Sequence, residues 1–230
     1  MENGRESLHI RTKTYEHTFV YDNTDVLYLD MEWPEVSGGP NPAAAARING
    51  IISMQASGYM AEAAGKLQRQ AVQDYKSAQE QGFPFNPHGL TVRYEVTLNG
   101  NCTFSFYRDK YIYTGGAHGI TPRESDTFDI CSGKRITLPS LFPAGTDWRS
   151  KVLAQILAAA DENLKQDPYL YFDNYRELIL TNFNPESFYL TPEAVAVYYQ
   201  QYDIGPYAIG IPVFEIPYAD LGISPPECRC

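Results

Sequence analysis

The chain has 230 residues, enough for one large domain or two small ones sharing a core. Its 28 acidic residues against 18 basic ones leave a formal charge of −10, with no Lys/Arg cluster to offset it. That balance argues against nucleic acid or an anionic membrane surface as a partner; it favours a basic protein, or does no more than keep the chain soluble.

Leu8 to Val20 and Val26 to Val36 roughly alternate polar and apolar residues and are rich in Thr, Tyr and Val, which predicts two strands joined at Asp22-Asn23-Thr24. After Gly38-Gly39-Pro40-Asn41-Pro42 a helix is predicted from about Ala43 to Gln81, because Ile48, Ile51, Ile52, Tyr59, Ala63, Leu67, Ala71 and Tyr75 recur near the helical period. Gly82-Phe83-Pro84 stops it. Strands are predicted at Leu90–Leu98, Cys102–Tyr113 and Arg123–Ile130, as an antiparallel meander with a type I′ turn at Asn99-Gly100. Leu138-Pro139-Ser140-Leu141-Phe142 leads to a second helix from about Asp147 to Lys165, with an apolar stripe from Trp148 through Val152, Ile156 and Ala160 to Leu164. A short helix is expected at Tyr175–Leu180, then strands at Phe188–Leu190, Ala194–Tyr199 and Val213–Ile216. The order of elements predicts an α+β fold, antiparallel sheets packed against a few helices in two integrated subdomains: an N-terminal α+β subdomain over 1–118 and a C-terminal one over 119–230. No apolar run approaches bilayer length, so no membrane span is expected, and Met1 to Ser7 carries no apolar signal core.

The loop Tyr113-Thr114-Gly115-Gly116-Ala117-His118-Gly119 has more backbone freedom than a chain reversal needs, so another segment packs against it or it approaches a partner. Gly115, Gly116, His118 and Gly119 are therefore candidate binding residues. His118 could serve as acid/base, metal ligand or recognition group, or could pin the loop through a backbone carbonyl. No orienting carboxylate or nucleophile lies near it in sequence, which places pinning ahead of catalysis. Tyr198, Tyr199, Tyr202 and Tyr207 crowd Gly205-Pro206, and Tyr202 and Tyr207 join the candidate surface, against the plainer reading of a core edge. No catalytic residue, cofactor motif or metal-binding pair is found: phosphate-loop, dinucleotide and nucleophile-elbow patterns are missing, and His9, His17, His88 and His118 are scattered. Cys102, Cys131, Cys228 and Cys230 lack Cys-x-x-Cys spacing. In a hairpin folded at Ala117, Cys102 and Cys131 lie nearly opposite each other within disulfide reach; otherwise they are two small buried hydrophobes.

Three motifs in order carry a resemblance. They are Tyr113-Thr114-Gly115-Gly116-Ala117-His118-Gly119 before a polar strand and a Gly-Lys turn, Leu138-Pro139-Ser140-Leu141-Phe142 before a helix, and Phe188-Tyr189-Leu190 with the run from Tyr199 to Pro212. Over about Tyr15 to Leu221 the chain resembles the extracytoplasmic domain pair of RsiV-type anti-sigma factors, bacterial envelope domains also found beside polysaccharide deacetylases. The resemblance implies a mixed α+β fold outside the cytoplasmic membrane. In the anti-sigma factors the pair binds lysozyme, and in the deacetylases catalysis belongs to a separate domain. The expected function is thus a non-enzymatic extracytoplasmic ligand-binding or sensor domain, its partner a basic, lysozyme-like protein or a cell-wall glycan. The rival is a cell-wall-directed hydrolase or accessory module with His118 as acid/base. The sequence shows neither a sigma-binding segment nor a membrane helix, so anti-sigma activity is not expected of the chain as it stands.

Overall fold

A computed structural model describes residues 6–228 and residue 230. Strand β1 (His9–Tyr21) turns through Asp22 and Asn23, both at positive φ, into β2 (Thr24–Ser37). Asn41 caps α1 (Pro42–Glu62) by accepting from the Ala43 N–H, with Pro42 in the first turn where its missing N–H costs nothing. One π-helical turn over Ala63–Leu67 passes into α2 (Gln68–Gln81), which ends at Gly82 in the left-handed conformation. The alanines and isoleucines of the buried face let this helix lie close against the strands: Ile48 and Ile52 meet Phe104, Phe106 and Phe128, while Ala56, Tyr59, Ala63 and Leu67 meet Leu27, Met31, Leu90 and Val92.

The helix is a crossover. It delivers β3 (His88–Gly100) parallel to β2, with Leu27 opposite His88 and Met31 opposite Val92. The expected all-antiparallel arrangement therefore gives way to a mixed sheet, because a strand–helix–strand connection this long returns the chain in the same direction. From there β4 (Thr103–Tyr113), β5 (Arg123–Asp129) and the two-residue β6 (Lys134–Arg135) run antiparallel, completing a six-stranded sheet in sequence order. The β3–β4 reversal is not at Asn99-Gly100. A register shift between Val96 and Leu98 moves it two residues on, to Asn101 and Cys102 at φ +48° and +55°, with Gly100 opposite Thr103.

A 3-10 turn over Leu138–Leu141 leads to α3 (Trp148–Gln166), capped by Asp147 on the Ser150 N–H, and to α4 (Tyr175–Thr181). A second, three-stranded antiparallel sheet follows: β7 (Phe188–Leu190), β8 (Ala194–Tyr198) and β9 (Val213–Pro217), ending in the single turn α5 (Tyr218–Leu221). Alternation along β8 divides its work. Val195 and Val197 face α3 in a core with Val152, Ile156 and Ala160, whereas Ala196 and Tyr198 face Tyr107 of the large sheet. The layers thus run helix, large sheet, small sheet, helix. The fold is α+β, with two subdomains sharing the face between their sheets. The expected boundary between residues 118 and 119 falls inside the large sheet, in the connection between β4 and β5. Among the described residues, no helix is long and apolar enough to cross a membrane.

Candidate functional site

Strand β4 carries side chains to two different worlds. Phe106, Arg108 and Lys110 point to α1. Arg108 is 7% exposed and donates Nε–H to the Tyr59 hydroxyl (2.6 Å), one Nη to Asp126 (2.7 Å) and the other to Glu124 (2.8 Å). Arg135 also reaches Asp126 (2.6 Å), and Lys110 reaches Glu62 (2.9 Å). Burial works against the Arg108 charge, yet Tyr59 and Asp126 outweigh it and hold its pKa above the usual guanidinium value. Burial likewise pushes the Glu124 carboxyl up, but the Tyr59 hydroxyl and Arg108 prevail and leave it lowered. This network anchors helix to sheet.

On the opposite face Ser105 accepts the Leu190 N–H (2.9 Å) and shares a hydrogen bond with Thr127 (2.7 Å), which ties β7 to β4 and β5. Tyr107 packs on Tyr189 with ring centroids 5.2 Å apart. The Arg123 guanidinium lies 3.7 Å above the Tyr107 ring, held there by two 2.7 Å bonds to Asp109. Burial first, then a hydrogen bond to Glu95, pushes the Tyr107 phenol up to about 12.

The glycine loop lies at the end of this face. Ile112 and Ile120 exchange both backbone hydrogen bonds (2.8 and 3.0 Å), so the strand pair persists to the root of the loop. Gly115 and Gly116 sit at φ +90° and +87°, and a Cβ on either would meet nothing within 4 Å. They serve the turn alone. Gly119 serves contact: its Cβ would fall 2.3 Å from the Ile112 carbonyl and 2.7 Å from the Tyr111 ring. Both expectations for the loop are therefore present, at different glycines. The Tyr111 hydroxyl accepts the Gly119 N–H (3.2 Å), and the Tyr113 hydroxyl donates to the Gly116 carbonyl (3.1 Å).

His118 Nδ1 lies 3.0 Å from the Gly119 carbonyl. A carbonyl only accepts, so Nδ1 carries the proton and Nε2 is the nitrogen with a free lone pair in the neutral ring. The exposed imidazole stacks on Tyr207 at 4.1 Å between centroids and 21° between planes, and Tyr202, half exposed and at φ +69°, lies 5.7 Å beyond. Two candidate segments far apart in sequence are thus brought into one aromatic row. Tyr198 and Tyr199 go to the core instead, both nearly inaccessible.

What holds the row together is a pair of glutamines that sequence reasoning did not single out. Gln200 accepts the Arg123 N–H (2.8 Å) and donates to the Arg123 carbonyl (2.7 Å), as a strand neighbour would, while Gln201 accepts the Thr121 N–H (2.7 Å). Asp203 accepts the Gln200 N–H (2.7 Å) and shapes the turn that carries Tyr202 and Tyr207. Gly205 allows close passage, because its Cβ would lie 2.8 Å from the Leu170 carbonyl. Tyr111 and Ile120, 38% and 50% exposed, extend the row along the loop. The signal for the tyrosines was available: Tyr107, Tyr111 and Tyr113 recur at even spacing along β4. The glutamines carry no periodic signal.

The expected Cys102–Cys131 bridge is not formed. Disulfides join Cys102 to Cys228 and Cys131 to Cys230. Thr103 pairs with Asp129 and the Ile130 N–H bonds the Cys102 carbonyl, so Cys102 stands opposite Ile130 with Cys131 one residue further along, and each of the two cysteines bonds one from the tail instead of the other. The tail after Pro225-Pro226 is thereby fastened to the open end of β4 and β5 instead of hanging loose.

Residues 20–121 match the family described as "Deacetylase PdaC", and residues 139–219 match "Protein of unknown function (DUF3298)". No curated protein matches the chain. A crystal structure of a DUF3298 family member from Bacteroides fragilis is similar at 18% identity and TM-score 0.73, covering 98% of this chain and 96% of that one. A DUF3298 family protein from Pseudomonas aeruginosa is similar at 18% identity and TM-score 0.65, covering 98% and 99%. The chain thus has the fold of these DUF3298 proteins, built from a PdaC-like region followed by a DUF3298-like region.

Proposed function

We propose that this chain is a non-catalytic ligand-binding or sensor domain acting outside the cytoplasm, and that it binds through the row His118, Tyr207 and Tyr202 with the glycine loop beside it. The observation that carries this reading is the exposed stacking of His118 on Tyr207. Such rings offer flat apolar area and polar edges at little cost in side-chain freedom. The hydrogen bond of Nδ1 to its neighbour's carbonyl favours recognition over acid/base work, since a catalytic imidazole is usually oriented by a carboxylate on that nitrogen. The region matched to a family described as a deacetylase is assigned no catalytic role in this proposal.

The partner we favour is a basic, lysozyme-like protein, as in the RsiV-type domains the sequence resembles. The net charge of −10 would steer such a protein to this one. The test is a titration with a c-type lysozyme at physiological salt. Saturable binding is expected, weakened by about tenfold or more in Tyr202→Ala and His118→Ala, with thermal melts unchanged. Absence of binding would remove this partner, and variants that lose stability along with binding would return the row to a structural role. A cell-wall glycan is the second reading, favoured by the stacked rings, whose faces suit the C–H face of a sugar. Oligosaccharide titration with quenching of Tyr fluorescence tests it.

A further inference from the structure

The fold gathers all four cysteines at one corner. Their sulfur atoms lie within 4.8 Å of one another, and they form a group of potential metal-ligating side chains among the described residues. Two disulfides account for the bonded pairs, but the cross pairs are also close: Cys102 to Cys230 is 3.6 Å and Cys228 to Cys230 is 3.7 Å. Four thiolates around a zinc ion at about 2.3 Å stand about 3.8 Å apart along the edges of a tetrahedron. We propose that this corner has two states, a double disulfide when oxidised and a single tetrathiolate zinc site when reduced.

Several features fit the second state. Cys102 and Cys131 come from the scaffold and are positioned without the tail. Cys102 donates its N–H to the Glu6 carbonyl (3.0 Å) and accepts from Ile130 (3.0 Å), and the Cys131 N–H is held by Asp129 (2.9 Å). The other Asp129 oxygen accepts from Ser132 (2.7 Å), so that carboxylate is already engaged and the donor set is four sulfurs, a soft set that suits zinc. Cys228 and Cys230 come from the tail, with Pro225-Pro226 ahead of them to limit the conformations the tail must give up. One of the four sulfurs is buried and the others range outward, which leaves a path for a metal.

The interconversion balances. Each disulfide accepts two electrons from a phosphine, which becomes phosphine oxide with the oxygen of water, and yields two thiols. The four thiols then bind one Zn²⁺ and release four protons. A small-molecule disulfide oxidant reverses both steps: two equivalents take four electrons and four protons and leave as four thiols, the four bound thiolates re-form the two protein disulfides, and the ion is released. The tail stays fastened in both states, by covalent bonds in an oxidising compartment and by the metal in a reducing one.

The experiment uses the full chain, reduced with a phosphine without oxygen and titrated with Co²⁺ as a coloured stand-in for Zn²⁺. One equivalent is expected to give the intense visible bands of tetrahedral four-sulfur coordination, bleached by one equivalent of Zn²⁺, while the oxidised chain binds none. Cys102→Ser and Cys131→Ser should each weaken binding at least tenfold and shift the bands toward three-sulfur coordination. Spectra unchanged by either substitution would mean that the tail alone chelates the ion and would overturn the proposal, as would binding by the oxidised chain. Should reduction loosen the fold, the melting temperature of the reduced chain with and without Zn²⁺ decides: a rise is expected, and no rise refutes the site.

Discussion

Replacing Arg108 by alanine would leave Asp126, 6% exposed, and Glu124 beneath α1 with their shared cation gone. Removing one partner of a buried ion pair costs about 3–5 kcal/mol, because the remaining charge stays out of water unpaired. Here Asp126 keeps Arg135 and the Glu124 side chain is 43% exposed, so the lower end, about 3 kcal/mol, is expected. In a chain of 230 residues each kcal/mol is worth about 2–4 °C, which gives a fall of about 6–12 °C in Tm at pH 7. The assay is thermal unfolding by near-ultraviolet circular dichroism, repeated in an Asp126→Ala background. Because the two residues touch, the double variant should be less destabilised than the sum of the singles. The gap between wild type and Arg108→Ala should also narrow in acid. Glu124 titrates lower in the folded protein than its ordinary 4.5, so the stability it contributes is present above that value and is lost as pH falls through the lower folded one. A fall of less than about 2 °C, or strict additivity, would refute the argument that this network anchors the helix.

Three further outcomes are expected. His88 is 1% exposed, its Nδ1 has no hydrogen-bond partner among the described residues, and burial lowers its pKa from 6.5 against the opposing pull of Asp74. The unfolded chain therefore takes up more protons, so Tm should decline as pH drops below 6.5, and His88→Gln should flatten that slope; an unchanged slope contradicts the assignment. Gly116→Ala should cost only about 1 kcal/mol of backbone strain, since its Cβ enters open space, whereas Gly119→Ala must displace Tyr111 or the Ile112 carbonyl and should cost more and disturb the loop. Equal urea midpoints for the two variants would show that the loop lacks the packing described. Gln200→Ala removes both bonds to the Arg123 backbone, and about 2–3 kcal/mol with faster hydrogen exchange at the Arg123 amide is expected; full protection there would mean another group holds that strand end.

The sequence by itself determined the local structure. The near-helical spacing from Ile48 to Tyr75 and the stop at Gly82 set one helix within a residue or two, alternation set β1 and β2, and β7, β8 and β9 lie close to their expected ranges. It also marked the glycine loop and the tyrosines beyond it, because residues with unusual backbone or surface demands stand out without any knowledge of neighbours. Partnership was decided only by the tertiary structure. The direction in which β3 pairs with β2, the reversal at Asn101-Cys102 and the joining of Cys102 and Cys131 to the tail all depend on register and crossover path, and a shift of one residue along a strand changes every partner without altering the pattern that predicts the strand. The same holds for the candidate site. His118 and Tyr207 share a surface because Gln200 and Gln201 bond to the strand backbone at Thr121 and Arg123, an interaction between a side chain and a backbone that leaves no periodic trace in either segment.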